Sequence, residues 1–213
     1  MGAISRHSGL CLVLSFMTDT EIKKHRLVVG VTGASGALYA KLLFDKLLQI
    51  HEQIDACGVI FSSSATRVWD YELDKAGIPP LPWPVYDPGD YFAPMASGSA
   101  AYRTMIICPA TMGVTGRIAS GLANDLITRA ADVVLKERGR LVLVVREMPY
   151  SLIHLKNMQL LTEAGAIVCP ASPSFYSKPG NIEALAMTVV ERALTLAGFD
   201  IKGYRWQEPP SPD

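Results

Sequence analysis

Short apolar runs rich in β-branched residues alternate along the chain with longer stretches whose leucines recur every three or four positions. The first run, "HRLVV", reads as a strand, and Leu38, Leu42, Leu43, Leu47 and Ile50 then fall at helical spacing. "IDACGVIFSSSA" is a second strand ending in a serine cluster, followed by a helix through Val68, Trp69 and Leu73. "TMIICPAT" is a third strand, breaking at Pro109, and a glycine-containing turn leads to a helix over roughly 121–137. "RLVLVV" is a fourth strand of fully buried type, residues 151–163 form a helix, and "GAIVCPASPSFY" supplies a fifth strand and a loop. Asn181 or a neighbour opens the last helix, which ends near Gly198.

Strands that read as continuous apolar runs, each followed by a helix, predict a parallel sheet covered on both faces. The expected fold is therefore α/β, one domain over residues 26–200 with an irregular tail at 201–213. Residues 77–98 interrupt the rhythm with six prolines, which excludes a central strand or an ordinary helix. Such a loop, carrying Trp83, Tyr86, Tyr91 and Phe92, is expected to serve as a lid or a subunit contact.

Composition narrows the classes. Twenty basic and twenty acidic residues cancel among 213, so no global field recruits nucleic acid or an anionic membrane. The apolar content of 49% suits a well-buried or oligomeric protein. Cys11, Cys57, Cys108 and Cys169 lie far apart with no CxxC, the pattern of reduced buried thiols in a cytoplasmic protein, and no histidine spacing suggests a metal. Residues 1–25 read as an extension outside the domain, disordered or due to a start upstream of Met17. Their run "GLCLVLSF" is too short to span a bilayer.

The candidate chemistry gathers where the strands end. "GVTGASG", residues 30–36, joins the first strand to the first helix, a place where backbone N–H groups converge on an anion. It is neither GxGxxG nor a P-loop, and Ser35 is placed either to cap the helix or to meet a ligand. Ser62 to Ser64, Pro109 with Thr111, Arg146 with Glu147, and Ser172 to Tyr176 occupy the other strand ends, the position of ligand crevices in open parallel sheets. These hydroxyls and arginines favour a phosphorylated cofactor, and no nucleophile–base–acid triad is evident.

Taken singly, most of these residues also have plainer readings. Asp125, Arg129, Asp132 and Lys136 share one helical face, which spacing alone reads as solvated and laced by i,i+4 pairs. Arg146 and Glu147 read equally as a mutual salt bridge. Glu72 in isolation is a helix glutamate, and Tyr176 can pack its ring with its hydroxyl at the surface. Arg192 lies at the edge of the apolar stripe of the last helix, either snorkelling or facing an anion. His154, near a helix start, is read as structural.

The stretches "GVTGASGALYAKLL", "SGSAAYRTMIICPATMG", "GLANDLITRAADVVLKERGRLVLVVREMP" and "GAIVCPASPSFYSKP" together resemble the flavin prenyltransferase family, the partners of prenylated-flavin-dependent decarboxylases. The resemblance covers most of residues 27–206 and rests above all on "RAADVVLKER" with "LVLVVREMP". It implies a flavodoxin-like or Rossmann-like three-layer sandwich with a mostly parallel sheet. It also implies FMN and dimethylallyl phosphate as ligands, a homododecamer with active sites at subunit junctions, and no metal. By this resemblance FMN is contacted by Gly33, Ala34, Ser35 and Ser62, then Thr111, Met112, Gly113, Val114 and Arg146, with Arg129 reaching toward a neighbouring subunit's site. The prenyl phosphate is handled by Lys136, Tyr176 and Arg192 with Glu147 beside them. Glu72 matches a catalytic carboxylate near the flavin edge, and Trp206 matches an active-site aromatic in the tail. Where Thr111 stands the family often has serine, and where Tyr91 stands some members carry tryptophan.

The implied reaction joins the dimethylallyl group to N5 and C6 of reduced FMN. Lys136, Arg192 and Tyr176 would meet the leaving phosphate, Glu147 and Glu72 are candidate acid/base groups, and Ser35 would position or relay a proton near N5. The product would pass to a decarboxylase. Two rivals share the architecture: an FMN-dependent decarboxylase of cysteinyl substrates, whose usual "PASANT" is replaced here by "PATMGV", and a non-catalytic flavin carrier. An NAD dehydrogenase is poorly served without GxGxxG.

Overall fold

The computed structural model describes residues 24–75 and 77–203. Six strands form one sheet: β1 (His25–Val31), β2 (Ile54–Phe61), β3 (Val85–Tyr86), β4 (Thr104–Ala110), β5 (Arg140–Val145) and β6 (Ile167–Pro170). Their spatial order is β3-β2-β1-β4-β5-β6, and every adjacent pair is parallel. The chain builds outward from β1 to β3, then returns to lay β4 against the other side of β1. The β1–β4 junction is therefore the switch point at which a ligand crevice opens in sheets of this type.

Helices cover both faces, as the buried character of the strands requires. On one face lie α1 (Ala37–Gln49), α2 (Ser63–Glu72) and α6 (Ile182–Ala197), around a core containing Phe44, Phe61 and Trp69. Against the other lie α3 (Met112–Ala119), α4 (Leu126–Lys136) and α5 (Leu152–Glu163). The result is the expected three-layer sandwich, with a sheet that is wholly rather than mostly parallel.

The capping chemistry explains most boundaries. Asn181 accepts the Ala184 N–H at 2.7 Å to open α6, which closes at Gly198 in the left-handed region (φ 98°), the two ends expected from sequence. Ser151 and His154 form a reciprocal capping box at the start of α5, so His154 is structural.

Three expectations are corrected. The helix expected over 121–137 starts only at Leu126, where Asp125 caps α4 through a box with Thr128, and the turn expected before it is a separate helix, α3, capped by Thr111 through the Val114 N–H (3.1 Å). Gly113 and Gly116 made α3 read as a turn. A Cβ at Gly116 would stand 3.1 Å from Asn157 Nδ2 of α5, so close helix packing outweighs the poor propensity of glycine there. Pro109 does not end the third strand. It lies within a register shift between Ile107 and Ala110, consistent with its missing N–H, and β4 continues to Ala110. Finally, the proline-rich loop contributes a sixth, edge strand, β3.

The same loop then straps the second helical layer. Leu126 donates to the Pro88 carbonyl (2.7 Å), the Tyr91 hydroxyl to the Ala123 carbonyl (3.4 Å), and Arg129 Nε to the Ala96 carbonyl (3.0 Å). Among the described residues no helix is long and apolar enough to cross a membrane.

Candidate active site

The turn after β1 is an anion site that the protein fills itself. Gly36 is the N-cap of α1, with φ at 114° and no side chain to cap with. The orphan N–H groups of Gly36 and Ala37 both donate to Glu72 Oε2, each at 2.8 Å. Glu72 ends α2, and that helix is anchored one turn earlier by Trp69. The Trp69 indole is buried edge-on against Phe61 (5.9 Å, 82°) and donates to the Gly77 carbonyl at 2.8 Å. The carboxylate is thus delivered to the helix N-terminus by the packing of a tryptophan three residues away.

Ser35 therefore does not cap α1. Its hydroxyl bonds the Glu72 carboxylate, and its carbonyl accepts from Arg146 Nε at 3.0 Å. Partial burial by itself would raise the Glu72 carboxyl. The Ser35, Gly36 and Ala37 hydrogen bonds and the Arg146 charge outweigh it and hold the group below the ordinary glutamate value. Arg146 and Glu147, read equally as a salt bridge, are not paired: Glu147 turns to its neighbour's N–H on Met148 (3.1 Å).

A second candidate anion site lies across the switch point, at the starts of α2 and α3. The Thr32 hydroxyl donates to the Pro109 carbonyl (2.7 Å) and accepts the Thr111 N–H (2.9 Å), tying β1 to the segment after β4. This brings the start of α2 beside the start of α3. Between them is a cavity of about 460 Å³, lined by Thr32, Ser62 to Ser64, Thr111, Gly113 and Val114 on one side and by Gly89, Arg117 and Asp125 on the other. Ser62 and Thr111 cap their helices through Ala65 and Val114, leaving the first N–H groups of each helix without an intrahelical acceptor. Two helix N-termini with adjacent hydroxyls fit a phosphate. The close approach depends on Gly33, where a Cβ would lie 2.6 Å from Ser64 Cβ.

A larger cavity of about 760 Å³ lies beside β6 and α6. Arg192, on the exposed side of α6 beside buried Val189, lines it together with Ser172, Ser174 and Ser177, residues that flank Tyr176. Cys169 also lines it. Burial raises that thiol, which the nearby Arg192 charge only partly opposes. Cys57, pushed up to about 12 by burial, and Cys108, raised by burial and by Cys169, are protonated core thiols, as expected.

Lys136 and Arg129 are not brought to either cavity. Lys136 ends α4 and bonds Glu137 (2.7 Å), whose other oxygen and carbonyl accept from Arg103 at 2.8 and 2.6 Å. Arg103 immediately precedes β4, so Lys136 sits where the strands begin, at the opposite end of the strands from Ser35. Arg129 pairs with Asp132 (3.1 Å) and holds the strap. Trp206 lies outside the described residues. Sequence reading missed Thr32, Gly89, Asn124 and Arg117, the last because its helix was read as a turn.

The chain matches the family model described as Flavoprotein over residues 15–193. It is 44% identical over 175 residues to the flavin prenyltransferase UbiX of Thermoplasma acidophilum, an alignment covering 81% of this chain and 94% of that protein. It is 40% identical over 191 residues to the Pseudomonas aeruginosa enzyme of the same name, covering 82% and 90%. Among solved structures it resembles AnUbiX (PadA1) in complex with FMN and dimethylallyl pyrophosphate. The TM-score is 0.77 at 38% identity, over 87% of this chain and 100% of that one. A dodecameric FMN-dependent UbiX-like decarboxylase from Escherichia coli O157:H7 gives 0.77 at 36%, over 86% and 100%. The peptidyl-cysteine decarboxylase EpiD, at 14% identity and a TM-score of 0.54, shares the fold alone.

Proposed function

The chain belongs to the flavin prenyltransferase family, and we propose that it joins a dimethylallyl group from dimethylallyl phosphate to N5 and C6 of reduced FMN, making prenylated FMN for a decarboxylase. The observation that carries the placement of FMN is the pair of anion sites. In the turn after β1 the N–H groups of Gly36 and Ala37 are already taken by Glu72, whereas the starts of α2 and α3 put N–H groups and hydroxyls beside the cavity between them. The second would hold the FMN phosphate, and Ser35, Glu72 and Arg146 would serve the ring.

Reduced FMN, when bound, supplies the electron-rich atoms that accept the five-carbon group. The residues of this chain do the rest. Ser62 to Ser64, Thr111, Met112, Gly113 and Val114 hold the phosphate end, and Gly33 with Ala34 lets the backbone approach closely. Arg146, tied to the Ser35 carbonyl, keeps the turn from moving. Glu72 is ionised near neutral pH and is hydrogen-bonded to the Ser35 hydroxyl, so a proton released during ring closure has an acceptor with a relay beside it.

In the cavity beside β6 and α6, Arg192 and Tyr176 receive the phosphate of the prenyl donor, with Glu147 assigned beside them. Charge on the departing phosphate is best met by fixed cations in a partly dry pocket. Lys136 lies at the wrong end of its own strands to join them, so it serves a neighbouring copy, as does Arg129. The position of Lys136 supports a reacting centre at a subunit junction, and the E. coli relative is itself dodecameric. We place the enzyme in the cytoplasm on its reduced-thiol composition.

The decisive experiment incubates the purified protein with reduced FMN and dimethylallyl phosphate and weighs the flavin afterwards. An added five-carbon unit is expected. Flavin recovered unmodified would turn the assignment toward a carrier or a decarboxylase.

A further inference from the structure

We infer that Arg117 is a phosphate-binding residue of this site, held in its binding position by Asn124 and Asp125. The inference rests on the placement of the FMN phosphate between α2 and α3. It adds a charged contact that neither the motif nor the helix caps supply.

Among the described residues lining that cavity, Arg117 is the cation. It lies on α3, whose first turn borders the cavity through Gly113 and Val114, and its side chain is only 30% exposed. Among the described residues its hydrogen bonds leave from Nη1 alone, to Asn124 Oδ1 at 2.8 Å and to Asp125 Oδ2 at 2.5 Å. The Nε and Nη2 donors are not committed to any of the described residues. A guanidinium presents its donors as a rigid planar fork, so fixing one nitrogen aims the others.

The anchor itself cannot swing away. Asp125 Oδ1 accepts from the Thr128 N–H and hydroxyl, both at 2.8 Å, as the cap of α4. Burial alone would raise the Asp125 carboxyl. The two Thr128 hydrogen bonds and Arg117 reverse this, so the group stays ionised at neutral pH and keeps hold of Nη1. A flexible surface arginine would lose side-chain entropy on binding an anion, and this one has already lost it.

A competing role exists. The Arg117–Asp125 pair could do no more than brace the connection between α3 and α4. The two roles separate on one ligand pair, FMN and riboflavin, which share the ring and differ in the phosphate. A brace affects both ligands equally, whereas a phosphate contact affects FMN alone.

The test titrates the apo-protein with FMN and with riboflavin by flavin fluorescence, in the wild type and in Arg117→Gln. The wild type is expected to prefer FMN. Arg117→Gln is expected to weaken FMN by roughly 10- to 100-fold, the range for a hydrogen bond to a charged group, with riboflavin affinity unchanged. The salt dependence of FMN binding should fall with it. An unchanged FMN-to-riboflavin ratio in the variant would assign Arg117 to bracing and overturn the inference. A wild type that does not distinguish the two flavins would instead overturn the phosphate placement, and the inference with it. Should Arg117→Gln fail to fold because Asp125 is left unpaired, the double variant Arg117→Gln/Asp125→Asn carries the same ratio, since asparagine also caps helices well.

Discussion

Glu72 Oε2 accepts the Gly36 N–H at 2.8 Å across thirty-six residues of chain, so the carboxylate matched to catalysis is also the cap of the first helix. The two duties have different chemical demands. Capping needs an acceptor oxygen, which an amide retains, whereas accepting a proton needs the charge. Glu72→Gln should therefore bind FMN close to normally while prenylated FMN appears roughly 10²- to 10⁴-fold more slowly, the usual span for a lost acid/base group. Mass spectrometry of the flavin over time reads this directly, and product at the wild-type rate would remove Glu72 from the chemistry.

The same group makes a pH prediction. Its folded carboxyl titrates below the ordinary glutamate value of about 4.3, so between the two values the unfolded chain holds more protons than the folded one. The stability it contributes is fully present above that ordinary value and is lost as pH falls through the depressed folded one. Melting temperatures of wild type and Glu72→Gln should differ by a constant amount at neutral pH and converge on acidification. Asp125 titrates low in both proteins and cancels in the difference.

Thr111 both caps α3 and lines the phosphate cavity. Thr111→Ala is expected to cost about 1 kcal/mol of stability by chemical denaturation and to weaken FMN binding, while Thr111→Ser keeps both. A variant that loses stability but binds FMN as before would confine the hydroxyl to capping.

Gly33→Ala is expected to destabilise by about 1–3 kcal/mol and to weaken FMN binding, because its methyl would meet Ser64 at the head of α2. Gly180→Ala is the control, since nothing lies within 4 Å of a Cβ there. Equal melting temperatures for the two variants would show that the close approach of the turn to α2 is not required.

Lys136→Ala should leave single-chain stability and FMN binding unchanged and abolish most transfer. Because Lys136 stands where the strands begin and Glu72 where they end, the two act on one substrate only across copies. Co-assembled Lys136→Ala and Glu72→Gln chains are then expected to recover about a quarter of wild-type activity at random equal mixing. No recovery in verified mixed oligomers would place Lys136 outside the neighbouring site.

Much of this protein is written in local patterns. Short β-branched runs such as "RLVLVV" fit doubly covered strands, and Asn181 and Gly198 mark the ends of α6 by backbone chemistry that acts within a few residues. Those signals suffice for the layers, the parallel sheet and the gathering of hydroxyls at strand ends. The glycines at 113 and 116 broke the pattern, since their local preference opposes a helix that the Thr111 cap and packing against α5 stabilise, and Arg117 was hidden with it. Which anion occupies the first turn was equally invisible. Glu72 arrives there because Trp69 is buried against Phe61, a contact between separate elements. The sheet likewise decides that Lys136 and Ser35 stand at opposite ends of the strands, because a helix returning between parallel strands carries its last residue away from the strand ends where the ligand crevice forms.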